Sequence, residues 1–219
     1  QNTPSYPIET PVVYNTALDE LTVDDDIRII VIGDNPGKDE QLNINQKYLC
    51  GQAGKIAEGW FKKNLELKID FRKNVIILNK TPVHSAKTVQ LKTIMKKGGK
   101  KITDLINESQ LWMAEETSKL HQKLCEASEN NTNPELWLVG YSELKEKGFF
   151  SGYRDCLKKT YLENGSKEIF EKSVFVYQHF SMNRFSIDLG DFSSKNTSNS
   201  LKENLIQLGT LHRDEIFVN

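Results

Sequence analysis

Residues 27–37 read Ile-Arg-Ile-Ile-Val-Ile-Gly-Asp-Asn-Pro-Gly, a short apolar run that ends in a polar turn marked by glycine and proline. The run Ile27–Ile32 is apolar almost throughout, which is typical of a strand buried on both faces of a parallel sheet. Three further runs share this character and lie at Val75–Leu78, Leu136–Val139 and Val174–Tyr177. The sequence therefore predicts four strands of one mostly parallel sheet.

Segments with helical periodicity separate these runs. One apolar stripe at helical spacing consists of Ile56, Ala57, Trp60, Phe61 and Leu65. A second stripe ends near Cys125, and Asp155–Leu162 and Ser200–Leu208 are predicted as further helices. The polar stretches 128–134 and 191–200 are predicted as loops. Strands that alternate with helices predict an α/β fold, a three-layer α/β/α sandwich around a central four-stranded sheet.

Composition limits the class of protein. The chain has 219 residues, of which 37% are hydrophobic and 27% charged, so we expect one domain over residues 1–219 with an irregular arm over about residues 1–21. No window approaches the length of a membrane span, and the start carries no secretory signal. The three cysteines are far apart and form no CxxC pair, which favours reduced thiols over disulfides or zinc. We expect a cytoplasmic monomer with no membrane partner, metal or other cofactor.

The charge is balanced overall, at −1, but it is uneven along the chain. Residues 71–103 contain no Asp or Glu and nine basic residues, which are Arg72, Lys73, Lys80, Lys87, Lys92, Lys96, Lys97, Lys100 and Lys101. A basic block of this length can follow a phosphate backbone, although a solvated helix face is the alternative. The Gly98-Gly99 pair inside the block predicts a mobile tip that can approach a ligand.

Polar clusters follow all four predicted strands, at the sheet edge where α/β proteins form their sites. They are Gly33-Asp34-Asn35-Pro36-Gly37, the stretch 79–85 from Asn79 to Ser85, Gly140-Tyr141-Ser142, and the stretch 178–184 from Gln178 to Arg184. The first cluster lacks the GxxxxGK[ST] spacing of a P-loop, and no strand is followed by GxGxxG. The sequence therefore predicts a pocket at this edge, without either standard phosphate loop.

These motifs, in this order, resemble the uracil-DNA glycosylase superfamily. The resemblance is carried by 33–37 (GDNPG), by 51–54 (GQAG) at the start of a helix, by Asn79 at a strand end and by 179–181 (HFS), and it extends over residues 27–184. It implies a DNA-repair hydrolase that flips uracil or a related damaged base out of single-stranded or damaged duplex DNA and cleaves its N-glycosidic bond. The cluster cysteines of the iron–sulfur branches are missing, so no such cofactor is implied.

The resemblance also implies a role for each site residue. Asn35 would position the attacking water, with Asp34 as a further catalytic carboxylate; Asn79 would read the base edge, and His179 would stabilise the departing base. Ser181 would orient His179 or contact a phosphate. The remaining substrate contacts would be Gly33, Pro36, Gly37, Tyr48 and Leu49, and the DNA contacts would be Lys96, Lys97, Lys100, Lys101 and Arg184. Asp39 and Glu40 are expected to be helix-cap or solvated acids.

Three positions depart from the family pattern. Leu49 stands where a stacking aromatic residue is expected, Phe180 replaces a proline, and Asn183 occupies the wedge position, which Met182 or Phe185 would have to fill. Without a wedge, single-stranded DNA is the favoured substrate. Two alternatives therefore stay open: a catalytically weak or inactive protein of this fold that binds nucleic acid or another partner, and a hydrolase of free nucleosides or nucleotides.

Overall fold

The computed structural model describes residues 5–128 and 133–217. Within these ranges four strands form one parallel sheet: β1 (Ile29–Gly33), β2 (Val75–Asn79), β3 (Glu135–Val139) and β4 (Val174–Tyr177). The strand order is β2-β1-β3-β4, and Ile30 of β1 pairs with Ile76 of β2 on one side and Leu136 of β3 on the other. All residues of β1, β2 and β4 are buried, as continuous apolar character predicts for a sheet covered on both faces.

Seven helices are described within these ranges: α1 (Gln52–Lys63), α2 (Thr88–Glu126), α3 (Tyr141–Leu144), α4 (Ser151–Glu163), α5 (Lys167–Ser173), α6 (Arg184–Lys195) and α7 (Leu201–Phe217). Helices α1 and α6 pack on one face of the sheet and α2 and α4 on the other, while α7 runs beside β4. The predicted three-layer α/β/α architecture is confirmed. No helix in the described ranges is both long and apolar enough to cross a membrane.

The prediction of a loop over residues 191–200 is wrong for its first half. Helix α6 continues to Lys195, because Phe185 and Leu189 are buried and Phe192 packs against the same core cluster. Three apolar residues at helical spacing are enough to fix this polar segment on the sheet. Of the predicted loop over 128–134, residues 129–132 lie outside the described ranges.

The Gly98-Gly99 pair, predicted as a mobile tip, lies where two helical segments of α2 meet at a kink. The helical path is interrupted at Gly99, which has φ 72° and ψ −170°. Such a backbone conformation is open to glycine and strained for other residues. The interruption separates Lys96 and Lys97 from Lys100 and Lys101, and burial in the second part of the helix begins only at Ile106.

The irregular arm before β1 lies along the loop that follows β2. The Val13 N–H donates to the carbonyl of Pro82 at 2.9 Å, and the His84 N–H donates to the carbonyl of Pro11 at 2.8 Å. The Tyr48 hydroxyl donates to the carbonyl of Val13 at 2.8 Å. The arm therefore supports the loops at the carboxyl edge of the sheet.

Candidate active site

A cavity of about 180 Å³ opens at the carboxyl edge of the sheet. Its lining residues follow β1, β3 and β4 and begin α6; they are Asp34, Gly140, Ser142, Glu143, Gln178, His179 and Arg184. The volume corresponds to about six water molecules at their share of the liquid, and it is below the roughly 300–1,000 Å³ of drug-sized sites. The cavity therefore suits a small group, such as one ring.

Asp34 presents a fixed carboxylate to this cavity. Its Oδ1 accepts a hydrogen bond from Lys80 Nζ at 2.7 Å, and its Oδ2 accepts one from Thr88 Oγ1 at 3.3 Å. Gly140 lies against the same carboxylate with φ 101°, and a Cβ there would stand 2.5 Å from Oδ1. Glycine is required at this position both for its backbone conformation and for the space that the carboxylate occupies.

The hydrogen bonds of His179 define its tautomer. The Ser181 backbone N–H donates to Nδ1 at 3.0 Å, and the Ser181 hydroxyl lies 2.7 Å from the same atom. Because Nδ1 accepts from a backbone N–H, the proton of the neutral ring must be on Nε2. Burial lowers the pKa of His179, and the charge of Lys80 acts in the same direction while Asp34 opposes it. The ring is therefore a neutral hydrogen-bond donor at pH 7.

Asn35 is turned toward the loop that follows β2. Its Nδ2 donates to the carbonyl of Ser85 at 2.9 Å, and its Oδ1 accepts from Thr88 Oγ1 at 3.2 Å. Asn35 is not among the described residues that line the cavity. In this arrangement its amide holds the 33–37 turn against the start of α2, while the neighbouring Asp34 faces the cavity.

Asn79 is buried at the end of β2 and lies against Gly33, its register partner on β1. A side chain on Gly33 would overlap with the Asn79 amide, so Gly33 makes room for it. Asn79 Nδ2 has no hydrogen-bond partner among the described residues, although buried amides are normally paired. Asn79, like Asn35, is not among the described residues that line the cavity.

The side chains expected to form the wall of the base pocket belong to the hydrophobic core. Tyr48, Leu49 and Phe180 are all buried in the cluster on the α1 face of the sheet. The Phe180 ring lies 4.7 Å from that of Phe185, so this aromatic side chain packs in the core. These residues close the core below the site.

The other residues of the 33–37 turn shape its backbone. The Pro36 carbonyl accepts from the Ser85 N–H at 3.2 Å and lies 2.9 Å from His84 Nδ1, while the Gly37 N–H donates to Glu40 Oε2 at 3.1 Å. Asp34 has two hydrogen-bond partners that sequence reasoning missed, and these are Thr88 and Lys80. The available signal for Lys80 was a lysine directly after a predicted buried strand that ends in Asn79.

The expectation that Glu40 is a cap or solvated acid is wrong. Its side chain is buried, and backbone N–H groups of Gly37 and Leu49 bind its carboxylate. It therefore joins the 33–37 turn to the segment before α1. Burial raises the pKa of Glu40 from its ordinary value of 4.5 to about 7, despite these hydrogen bonds.

A Glu40→Gln substitution is expected to change how stability depends on pH. Because the folded-state pKa of Glu40 is raised, its contribution to stability is complete below about pH 4.5 and is lost as the pH rises through about 7. Glutamine stays neutral, so the variant should gain about 3 kcal/mol relative to wild type between pH 4.5 and pH 8. Urea unfolding at both pH values measures this gain. Glu66→Gln, at an exposed position, is the control. An equal effect of Glu40→Gln on the free energy of unfolding at both pH values would contradict the raised pKa of Glu40.

Basic side chains lie exposed beside the cavity. Lys92 Nζ contacts Glu143 of the cavity wall at 3.3 Å, and Lys96 follows one helical turn later, about 6 Å along the axis. Lys96, Lys97, Lys100 and Lys101 are exposed, and the last two line a second, shallow cavity of about 450 Å³. Arg184 is exposed on the wall of the first cavity. Exposed lysines thus lie beside the cavity and on both sides of the kink at Gly99.

Two residues with left-handed backbone lie between His179 and α6. Met182 and Asn183 both have positive φ, at 56° and 55°, a conformation that is uncommon outside glycine. Met182 is 83% exposed, whereas Phe185 is buried in the core. Of the three side chains considered for the wedge, Met182 is therefore the apolar one that projects into solvent.

The site combines a fixed carboxylate, a neutral imidazole donor and a surface cation around one small cavity. A carboxylate can orient water and accept its proton, and an imidazole N–H can stabilise a developing anion. No group of three or more His, Cys, Asp or Glu in residues 5–128 and 133–217 is arranged to hold a metal ion. Comparison of the chain with protein-family models and with curated proteins finds no match.

Proposed function

We propose that this protein is a DNA base-excision glycosylase that hydrolyses the N-glycosidic bond of uracil or a related damaged base. The supporting observation is that Asp34 and His179 line one small cavity at the carboxyl edge of the sheet. The motif resemblance of 33–37 and 179–181 supports the same chemistry. One role differs from the sequence-based expectation. Asp34, rather than Asn35, positions the attacking water.

His179 and Asp34 take different steps of the reaction. The C1′–N bond breaks, and its electron pair leaves with the base, whose O2 receives a hydrogen bond from His179 Nε2–H. Water adds to C1′ and gives its proton to Asp34, which returns it to the departing base. Asn35 supports this step by holding the turn that carries Asp34.

Binding of DNA is assigned to the lysines of α2 and to Arg184. Lys92 stands at the cavity, Lys96 and Lys97 follow on the same segment of α2, and Lys100 and Lys101 come after the kink at Gly99. A row of exposed cations next to a one-ring cavity suits a polyanion with one base turned inward. A hydrolase of free nucleosides has no use for this row.

The second candidate is a nucleic-acid-binding protein without glycosylase activity. It is favoured by the engagement of the Asn35 amide with Ser85 and Thr88 and by the burial of Asn79 away from solvent. Such a protein would keep the lysine row and bind DNA without cleaving it. Base release distinguishes the two candidates.

The proposal is tested with single-stranded and duplex oligonucleotides that contain uracil, hypoxanthine or mispaired thymine. We expect abasic sites from wild type and a rate at least about 100-fold lower for His179→Ala. The double variant Lys96→Ala/Lys97→Ala should bind DNA more weakly and with a smaller salt dependence. Lys62→Ala/Lys63→Ala is the matched control, because the end of α1 lies at the opposite edge of the sheet. Binding without base release would support the second candidate.

A Met182→Ala substitution is expected to reduce excision from duplex DNA more than from single strands. An apolar wedge replaces the flipped base in the stack, and only the duplex must be opened. We expect the duplex rate to fall about tenfold more than the single-strand rate. Rates on both forms of one oligonucleotide measure this ratio, and Ile187→Ala, at an exposed position in the first turn of α6, is the control. An equal loss on both substrates would remove Met182 from this role.

A further inference from the structure

Lys80 is a fully buried lysine beside the candidate active site. Its ammonium donates to the carbonyl of Gly33 at 3.3 Å, to Asp34 Oδ1 at 2.7 Å and to the carbonyl of Val139 at 2.6 Å. An ammonium group has three hydrogens, so each one has an acceptor. The Phe150 ring, 5.1 Å from Nζ, covers the group further. The side chain thus reaches from the end of β2 to the ends of β1 and β3.

Stability alone does not account for a lysine at this position. The strand ends that it joins are already held by the hydrogen bonds of the sheet. Removing an ammonium from water costs several kcal/mol, and replacing a buried ion pair by apolar residues is often neutral or stabilising by about 1–4 kcal/mol. An apolar residue at position 80 would, however, leave the Asp34 carboxylate without its cation.

We propose that Lys80 is the positioning residue of this site: it fixes the Asp34 carboxylate at the cavity wall and supplies the buried positive charge that sets the electrostatics of Asp34 and His179. This inference rests on the proposed function, since it assigns a role within that reaction. Lys80 is not among the described residues that line the cavity, so it acts through Asp34 and His179 rather than on the substrate.

The charges around the cavity support this role. Asp34, His179, Glu143 of α3 and Arg184 of α6 all line the cavity. Burial lowers the pKa of His179 and the Lys80 charge lowers it further, while Asp34 opposes both. Burial also lowers the pKa of Lys80 itself, against the attraction of Asp34 and Glu143. One ammonium therefore stabilises both the Asp34 carboxylate and the neutral form of the His179 imidazole.

The test is Lys80→Met, which keeps an unbranched side chain, one heavy atom shorter, and removes its charge. With single-stranded uracil DNA we expect kcat to fall about 30-fold and KM to change less than about twofold. The Lys80 charge lowers the pKa of His179, so its removal should raise that pKa and move the acid limb of the kcat–pH profile to higher pH. Relative to Asp34→Asn, the double variant Lys80→Met/Asp34→Asn should lose much less than Lys80→Met loses relative to wild type, because the effect of Lys80 that acts through the carboxylate is already absent.

A second measurement does not require activity. NMR titration of the His179 imidazole, identified by its loss in His179→Gln, should give a higher pKa in Lys80→Met than in wild type. If the single variant Lys80→Met does not fold, the pKa of His179 is compared between the double variant Lys80→Met/Asp34→Asn and the single variant Asp34→Asn. An unchanged kcat and an unchanged His179 titration in an active enzyme would overturn the role of Lys80. A wild type that excises no base would instead overturn the proposed function, and the titration would still decide whether Lys80 acts on His179.

Discussion

Asp34→Asn is expected to lower the rate of base excision by about 1,000-fold. The amide keeps the shape of the carboxylate and can still contact Thr88, but it carries no charge and accepts no proton from water. The rate of uracil release under single-turnover conditions, with protein in excess over a single-stranded oligonucleotide, measures the loss. Binding of the oligonucleotide should be largely retained, because the lysines of α2 are untouched.

Two controls separate the chemistry of Asp34 from its structural contacts. Asp39→Asn makes the same change at an exposed residue nearby and should leave the rate within about twofold. The substitution at Asp34 leaves Lys80 buried without its counterion, at a cost of about 3–5 kcal/mol, so thermal unfolding is followed in parallel and Asp34→Asn/Lys80→Met serves as the charge-balanced variant. A wild-type rate in folded Asp34→Asn, together with loss of activity in Asn35→Ala, would assign the step to Asn35 instead.

Gly54→Ala is expected to destabilise the fold by about 3 kcal/mol. Gly54 is buried in the first turn of α1, and a Cβ at this position would overlap with the backbone carbonyl of Leu49. A backbone group cannot be relieved by a change of rotamer, so the turn before the helix must shift. Urea unfolding measures the loss. The close approach of the Leu49 backbone therefore explains why the last residue of the GQAG motif is glycine.

Gly59→Ala in the same helix is the matched control. A Cβ on Gly59 meets no atom within 4 Å, and alanine favours the helix over glycine by about 0.5–1 kcal/mol. The two substitutions are chemically identical and should change stability in opposite directions. Equal unfolding midpoints for both variants would show that the approach of Leu49 to Gly54 is not maintained in solution.

The sheet could be predicted from the sequence because each strand is buried on both faces. Val31 in β1 and Val176 in β4 lie within runs whose continuous apolar character leaves few alternatives. Helix α6 was only partly predictable, since its apolar residues are widely spaced among Ser, Asp and Gly residues that favour loops. Tertiary burial of Phe185 and Leu189 decided its structure.

The candidate site was predictable in place but less so in detail. Residues 33–37 and 178–184 both follow parallel strands, so the fold brings them to the carboxyl edge of the sheet whatever their side chains are. Which of Asp34 and Asn35 faces the cavity depends on the backbone of one turn, and that turn is set by contacts with Thr88 and Lys80 from a distant part of the chain. Local sequence patterns carry no information on such contacts.

The most direct test is mass spectrometry of a single-stranded uracil oligonucleotide incubated with excess wild-type protein. We predict free uracil and an equal amount of an unbroken strand in which water has replaced the base, and formation of both products about 1,000-fold more slowly by Asp34→Asn. An oligonucleotide that is bound at saturation and recovered intact would contradict hydrolysis at the Asp34–His179 cavity.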